Sequence, residues 1–305
     1  MDNLIVILGP TASGKTTLAV KLAHRFHGEV ISADSRQIYK GMDIGTGKDL
    51  SEYSIGNTTI DYHLINILNP SENYSVFQFK KDYQKVFKSI NQEDKLPILC
   101  GGTGLYLESI LLDYKMPETK PDHQLREELE KDDMNVLINK LIKIKKDAYD
   151  KEYHVSKRRL IRSIEILKDQ KGIEMKELGK SILENTLIIG IDIKRPILLE
   201  SIKNRLHSRL KEGMIDEVEN LVTGGISYER LSYFGLEYKF IGKYLSKEID
   251  YDQMVSMLNT AINKFSKRQM TFFRRMEKRG IKINWVSHDK THQITELVTS
   301  FLNNS

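Results

Sequence analysis

The sequence predicts an α/β fold of the phosphate-loop class: a parallel sheet flanked by helices, with an inserted all-helical domain. Three observations predict it. A phosphate-loop signature, Gly9-Pro10-Thr11-Ala12-Ser13-Gly14-Lys15-Thr16, stands between an apolar run and an amphipathic one. Three short apolar runs each end in a polar or glycine-rich loop. A lysine- and glutamate-rich stretch of helical periodicity then intervenes before a fourth apolar run.

The first run, Leu4 to Leu8, predicts a buried strand, and Leu18, Leu22 and Phe26 predict a helix straight after the loop. A strand, a tight loop and a helix N-terminus in that order make a cup of inward N–H groups suited to a di- or triphosphate. Gly9, Thr11, Ala12, Ser13 and Gly14 supply its backbone. Lys15 is placed to neutralise the outer oxygens, and the Thr16 hydroxyl is the expected Mg²⁺ ligand. Kinases, GTPases and some transferases share such a cup, so the motif leaves the reaction open.

Glu29 to Ala33 predicts a second strand that delivers Asp34-Ser35-Arg36-Gln37 onto the same sheet edge, close to the phosphates. Gly41 to Lys48 reads as an ordered site loop. Tyr74 to Ile90 predicts a helix, and Leu96 to Cys100 a third strand opening into Gly101-Gly102-Thr103-Gly104. From about Met116 to Asn185 the pattern predicts helices only, so residues 1–115 and 186–305 form the expected core and 116–185 the insertion. Leu187 to Ile193 is a further buried strand. Two long helices, Pro196 to Lys211 and Tyr251 to Arg279, are expected to be separated by the glycine-containing stretch Gly224 to Leu236. A short strand near Ile283 to Val286 and a terminal helix close the chain.

At 305 residues, with 40% hydrophobic and 29% charged side chains, the chain can bury a substantial core. Its single cysteine, Cys100, excludes an internal disulfide framework or a thiolate cluster and suits a reducing compartment. No secretory leader and no membrane span is expected, which makes the cytoplasm the expected location. The formal net charge of +5 is unevenly spread. Lys157-Arg158-Arg159-Leu160-Ile161-Arg162 and the run from Lys264 to Arg279 carry the excess. In the second run Ile262, Phe265, Phe272 and Met276 read as the buried stripe. Two basic runs beside a phosphate cup point to nucleic acid or pyrophosphate. The scattered histidines carry no ligand spacing, His63 alone lying near the site loops.

Together these segments resemble the tRNA dimethylallyltransferase family, also called tRNA isopentenyltransferases. The resemblance is carried by GPTASGKT at 9–16, DSRQIYKGMDIGTGK at 34–48, GGTGLYL at 101–107, KRRLIRSIEIL at 157–167 and KRQMTFFR at 267–274. It implies transfer of a prenyl group from dimethylallyl diphosphate to N6 of adenosine 37, in tRNAs that read codons beginning with U. On that basis Asp34 matches the general base, Thr103 a position beside the reacting adenine, and Arg205 a pyrophosphate contact, with Lys15 and Thr16 completing the catalytic set. The implied tRNA contacts are Asp34, Ser35, Arg36, Gln37, Arg126, Arg158, Arg159, Arg162, Lys267, Arg268, Gln269 and Arg274. The implied partners are a tRNA anticodon stem-loop, dimethylallyl diphosphate and Mg²⁺, acting on a monomer.

The chain departs from the family pattern at several places. Gly47-Lys48-Asp49 stands where Ala-Lys-Pro is usual, Gly235-Leu236-Glu237-Tyr238 replaces a Gly-Tyr-basic-Glu motif, and His154-Val155-Ser156-Lys157 replaces a His-Pro-Asn-Asp turn. Ser201, Asn263 and Phe272 stand where Arg, Arg and Trp are common. Three other readings compete: a small-molecule kinase binding ATP in the same cup, an adenylate isopentenyltransferase acting on free AMP, ADP or ATP, and an RNA-binding homologue without catalysis.

Overall fold

The computed structural model describes residues 3–151, 153–169 and 185–304. The chain forms two compact units, Met1–Asp113 with Lys180–Ser305, and Tyr114–Gly179. The last part of the expected insertion, residues 170–184, lies outside the described residues.

The first unit is built on a six-stranded parallel sheet. Its strands are β1 (Leu4–Leu8), β2 (Gly28–Ser32), β5 (Tyr62–His63), β6 (Leu96–Gly101), β7 (Thr186–Asp192) and β8 (Asn284–Ser287), in the order β5-β2-β6-β1-β7-β8. A separate antiparallel ribbon joins β3 (Ser54–Ile55) to β4 (Thr58–Thr59). Helices cover both faces of a parallel sheet, so its central strands are apolar throughout rather than alternating. β1 shows this, with all five residues buried, and it pairs Ile7 with Cys100 on one side and with Ile189 on the other.

The helices of this unit are α1 (Lys15–Arg25), α2 (Val76–Gln92), α3 (Gly104–Leu111), α7 (Arg195–Lys211), α8 (Met214–Thr223), α9 (Tyr228–Phe234), α10 (Leu236–Leu245), α11 (Tyr251–Lys278) and α12 (Thr291–Asn303). Local chemistry sets their starts. α2 and α11 open on capping boxes, Ser75 with Gln78 and Asp250 with Gln253.

The region between the two long helices differs from expectation, because it holds three helices rather than a glycine-rich separator. Ser227 caps α9 by accepting from Arg230 N at 3.1 Å, and Gly213, Gly225 and Gly235 take φ of 97°, 94° and 137° at the junctions. Each helix buries one apolar stripe, as Met214 with Val218, Leu231 with Phe234, and Tyr238 with Ile241. The glycines are hinges between short amphipathic helices. The strand β5 also went unread, since two residues cannot display an alternation.

The second unit packs α4 (His123–Glu130), α5 (Met134–Ile144) and α6 (Lys157–Lys168) around Leu129, Leu137, Leu141, Leu160, Ile161 and Ile164. Among the described residues no helix is long and apolar enough to cross a membrane.

Candidate active site

Sheet order gathers the site. β2, β6 and β1 are neighbours, so their carboxyl ends deliver Asp34, Thr103 and the phosphate loop to one edge. The loops are stitched directly to one another. Ala33 N donates to Cys100 O at 2.7 Å, and Thr103 N donates to Ala33 O at 3.2 Å. Gly101 is required at this crossing, because a Cβ there would lie 2.3 Å from Ala33 O.

The phosphate loop turns through left-handed backbone at Ala12 (φ 61°) and Gly14 (φ 79°), and α1 begins without any side-chain cap. Its first N–H groups therefore face the cup uncapped, the arrangement that attracts an anion. Ser13 Oγ is buried without a hydrogen-bond partner, a polar atom that a phosphate oxygen would satisfy. Lys15 Nζ donates to Pro10 O at 2.8 Å. Burial lowers the Lys15 ammonium to about 8, with Arg205 reinforcing that shift and Asp34 opposing it. Burial also raises the Cys100 thiol to about 12, so this cysteine sits in the floor of the cup as a neutral group.

Two long-range side chains reach the loop. Arg205 on α7 donates from Nη2 to Thr11 Oγ1. Gln269 on α11 accepts from Thr11 N at 2.8 Å and donates to Gly102 O at 3.0 Å, tying the phosphate loop to the Thr103 loop. Arg205 is lowered to about 10, by burial first and then by Arg209, while Glu237, Asp49 and Asp34 pull the other way. It stays a cation at neutral pH. Burial raises the Glu237 carboxyl against the pull of Arg209 and Arg205.

Asp34 is held in an Asx-type turn, its Oδ1 accepting from Arg36 N at 2.9 Å. Thr103 Oγ1 accepts from Ser35 N at 3.1 Å. Asp34 thus stands between two fixed loops, in electrostatic contact with Lys15, Arg205 and Glu237. The expected catalytic residues Lys15, Asp34, Thr103 and Arg205 converge on one region.

The loop from Gly41 to Asp49 is ordered by interactions that sequence reasoning missed. Glu217 on α8 accepts from three successive amides, Asp43 N at 2.6 Å, Ile44 N at 2.7 Å and Gly45 N at 3.0 Å, and from Tyr238 Oη at 2.7 Å. Lys48 is fully buried and donates to Tyr39 O at 2.5 Å, Asp43 Oδ1 at 2.6 Å and Asn66 Oδ1 at 2.5 Å.

The residues expected to contact tRNA, Asp34 aside, divide into four groups. Gln37 and Gln269 are interior, 9% and 7% exposed. Gln37 accepts from Ser32 Oγ at 2.8 Å and donates to Gly47 O at 2.9 Å. Both amides are engaged within the protein, Gln269 with Thr11 N and Gly102 O. In the helical unit, Arg126 grips Glu165 through two hydrogen bonds of 2.7 and 2.8 Å, and Arg162 adds another at 2.7 Å. Burial raises the Glu165 carboxyl, yet the Arg126 and Arg162 hydrogen bonds prevail and hold it below the ordinary range. Arg158, Lys267, Arg268 and Arg274 form the exposed set, and Arg159 stacks 5.2 Å from the Tyr153 ring. Ser35 and Arg36 are half-buried, the Arg36 guanidinium 5.3 Å from the Tyr233 ring.

The buried stripe of α11 is Ile262, Ser266, Gln269, Phe273 and Met276. This corrects the expectation for Phe265, which is 39% exposed, and Phe272, which flanks the stripe against the Cα of Gly104. Steps of four and three keep one face, and residues 265 and 272 fall beside it.

For Mg²⁺ the candidate donor is Thr16, in the first turn of α1. Among the described residues no group of three or more His, Cys, Asp or Glu side chains is placed to hold a metal. A hydroxyl in the first turn of a phosphate cup fits an ion that takes most of its ligands from phosphate and water.

The IPP transferase family profile matches residues 37–276. The chain is 46% identical over 284 residues to tRNA dimethylallyltransferase 1 of Parabacteroides distasonis, covering 93% of this chain and 92% of that protein. It is 44% identical over 295 residues to the tRNA dimethylallyltransferase 1 of Azobacteroides pseudotrichonymphae, covering 97% and 96%. The full-length tRNA isopentenylpyrophosphate transferase of Bacillus halodurans superimposes with a TM-score of 0.71 at 31% identity, covering 100% of this chain and 98% of that one. A eukaryotic dimethylallyltransferase acting on tRNA shares the fold, with a TM-score of 0.82 at 24% identity, covering 99% of this chain and 79% of that one. The chain belongs to the IPP transferase family.

Proposed function

We propose that this protein transfers a dimethylallyl group from dimethylallyl diphosphate to N6 of adenosine 37 in tRNAs reading codons that begin with U, releasing pyrophosphate. The observation that carries the reading is the side-by-side placement of a carboxylate loop and a phosphate cup, joined through Thr103 and Gln269, with Arg205 held on the cup. A phosphate cup beside a carboxylate suits a reaction in which diphosphate leaves and an amine loses a proton. The N6–carbon bond forms, the carbon–oxygen bond to diphosphate breaks, and the N6 proton passes to Asp34. An exocyclic adenine amine is a weak nucleophile, and a positioned base is worth roughly 10² to 10⁴ in rate. The loop amides, Lys15 and Arg205 bind the diphosphate and stabilise the charge it gains on leaving. Mg²⁺ held at Thr16 would supply further counter-charge to that group. The target base must leave the anticodon stack, at a cost of a few kcal/mol. Exposed Arg158, Lys267, Arg268 and Arg274 supply phosphate contacts, and the protein acts in the cytoplasm as a monomer.

The test offers labelled dimethylallyl diphosphate and Mg²⁺ with unmodified tRNA or AMP in separate reactions, with Asp34→Asn as control. Label in tRNA that falls by at least about 10²-fold with Asp34→Asn supports the assignment. Label in AMP alone transfers it to the adenylate isopentenyltransferases. Label in neither, with turnover of ATP, makes the cup that of a kinase.

A further inference from the structure

The site loop and α7 meet at one buried cation that the reaction above does not use. Arg209 lies one turn beyond Arg205 on α7 and is only 5% exposed. Its Nη2 donates to Asp49 Oδ2 at 2.9 Å. Its guanidinium also lies flat against Gly47: a Cβ at that residue would be 2.1 Å from Nη2 and 2.7 Å from Cζ. Gly47 takes φ 66° and Asp49 φ 44°, so the loop bends through left-handed backbone on both sides of Lys48 to receive the guanidinium. Gly47 O in turn accepts from Gln37, three residues after Asp34. A continuous path therefore runs from Asp34 through Gln37, Gly47 and Arg209 to Arg205 and Thr11.

Two of the positions that depart from the family pattern, Gly47 and Asp49, are the two that touch Arg209. The glycine makes the space and the aspartate supplies the counter-charge. A second arginine beside Arg205 would by itself repel it, and the Asp49 carboxylate offsets that repulsion. Building on the prenyl-transfer reading, we propose that Arg209 is a positioning residue: paired with Asp49 and seated on Gly47, it locks the 41–49 loop, which Gln37 ties to the segment carrying the base, to the helix carrying the diphosphate contact. Its effect belongs to alignment, where small displacements of reacting groups are expensive.

The test compares Asp49→Asn, Arg209→Met and the double variant in steady-state prenyl transfer to tRNA. Asp49 is partly exposed and Asn has its shape, so this variant is expected to fold with a melting temperature close to wild type. Each single variant is expected to lower kcat about ten-fold or more, with KM for both substrates within about three-fold, and the double variant to be no slower than the slower single one. Hydrogen exchange should speed up at the amides of residues 43–49 in Asp49→Asn, relative to wild type. Unchanged kcat in Asp49→Asn, or effects of the two substitutions that multiply, would overturn the proposal while leaving the reaction assignment intact. Increased KM for dimethylallyl diphosphate alone would also overturn it, by making Arg209 a direct diphosphate ligand. A wild-type protein that transfers nothing would defeat the reaction assignment instead.

Discussion

Gln269 accepts the Thr11 N–H at 2.8 Å from a position 258 residues away, and its amide nitrogen reaches Gly102 O at 3.0 Å. One buried side chain thereby sets the spacing between the phosphate loop and the loop that presents Thr103. Removing it leaves a loop N–H and a carbonyl unsatisfied, at about 1–3 kcal/mol. Gln269→Ala is expected to lower kcat/KM about 10- to 100-fold. Gln269→Glu keeps the acceptor for Thr11 and should fall between Gln269→Ala and wild type. Steady-state kinetics with tRNA checks the order, and an alanine variant as fast as wild type would remove the strut from the account.

The helical unit separates two kinds of arginine that look alike in sequence. Arg162 donates to buried Glu165 and to Thr119 O at 2.7 Å, whereas Arg158, one turn earlier, is exposed. Arg158→Ala is expected to leave the melting temperature unchanged and to reduce the slope of log K for tRNA against log salt by about one. Arg162→Ala is expected to lower the melting temperature, because a carboxylate 1% exposed loses one of its two arginine partners. Binding titrations at several salt concentrations, read beside thermal melts, decide between them; a slope unchanged in Arg158→Ala but reduced in Arg162→Ala would reverse the assignment.

The sheet and the phosphate cup were legible because their signals are local. Five consecutive apolar residues, a glycine-spaced loop and a periodic helix occupy residues 4 to 25, so neighbours in sequence are neighbours in the site. Asp34 and Thr103 were also placed correctly on the sheet edge, since strand ends of a parallel sheet share it. The three helices between Lys211 and Tyr251 were not legible, because glycines that hinge short helices look the same in sequence as glycines in a loop. Glu217 was invisible for another reason. Its partners are backbone amides up to 174 residues away, and a backbone N–H carries no residue signature. The inward placement of Gln269 was not legible either, because a basic run suggests that all its polar members face solvent. The helix instead turns Gln269 inward every time it turns Lys267 and Arg268 out.

His154 makes the helical unit sensitive to acid. The residue is 3% exposed, its Nδ1 3.0 Å from both Asp150 N and Asp150 O and its Nε2 2.9 Å from Ser163 Oγ. Burial lowers its basicity below the ordinary 6.5, against the pull of Asp150. The unfolded chain therefore binds a proton here more readily than the folded one, so this contribution is full above about pH 6.5 and declines as pH falls below it. Glu165 acts in the same direction at lower pH, being fully effective above about 4.5 and weakening beneath that. Protection factors of α5 and α6, the exchange rates corrected for the intrinsic rate at each pH, are expected to be lower at pH 5.5 than at pH 7.5, and His154→Gln to abolish most of that difference. Equal protection at both values in the wild type would exclude His154 as its source.

Lys15 sets the alkaline limit of diphosphate capture. Its ammonium titrates near 8 because burial disfavours the charged form. It is a cation below that pH and becomes neutral as pH rises through it, so the free enzyme loses a charge facing the diphosphate. The substrate's own last ionisation, near 6 for a phosphate group, is complete by then and contributes no slope. KM for dimethylallyl diphosphate is expected to be flat from pH 7 to 7.5 and then to climb, approaching ten-fold per pH unit at most. Once bound, the diphosphate stabilises the ammonium, so kcat should hold to higher pH than kcat/KM does. Lys15→Met is expected to raise KM at pH 7 and to remove the climb altogether. Initial rates from pH 7 to 9.5 measure both; a climb that survives in Lys15→Met would assign it to another group.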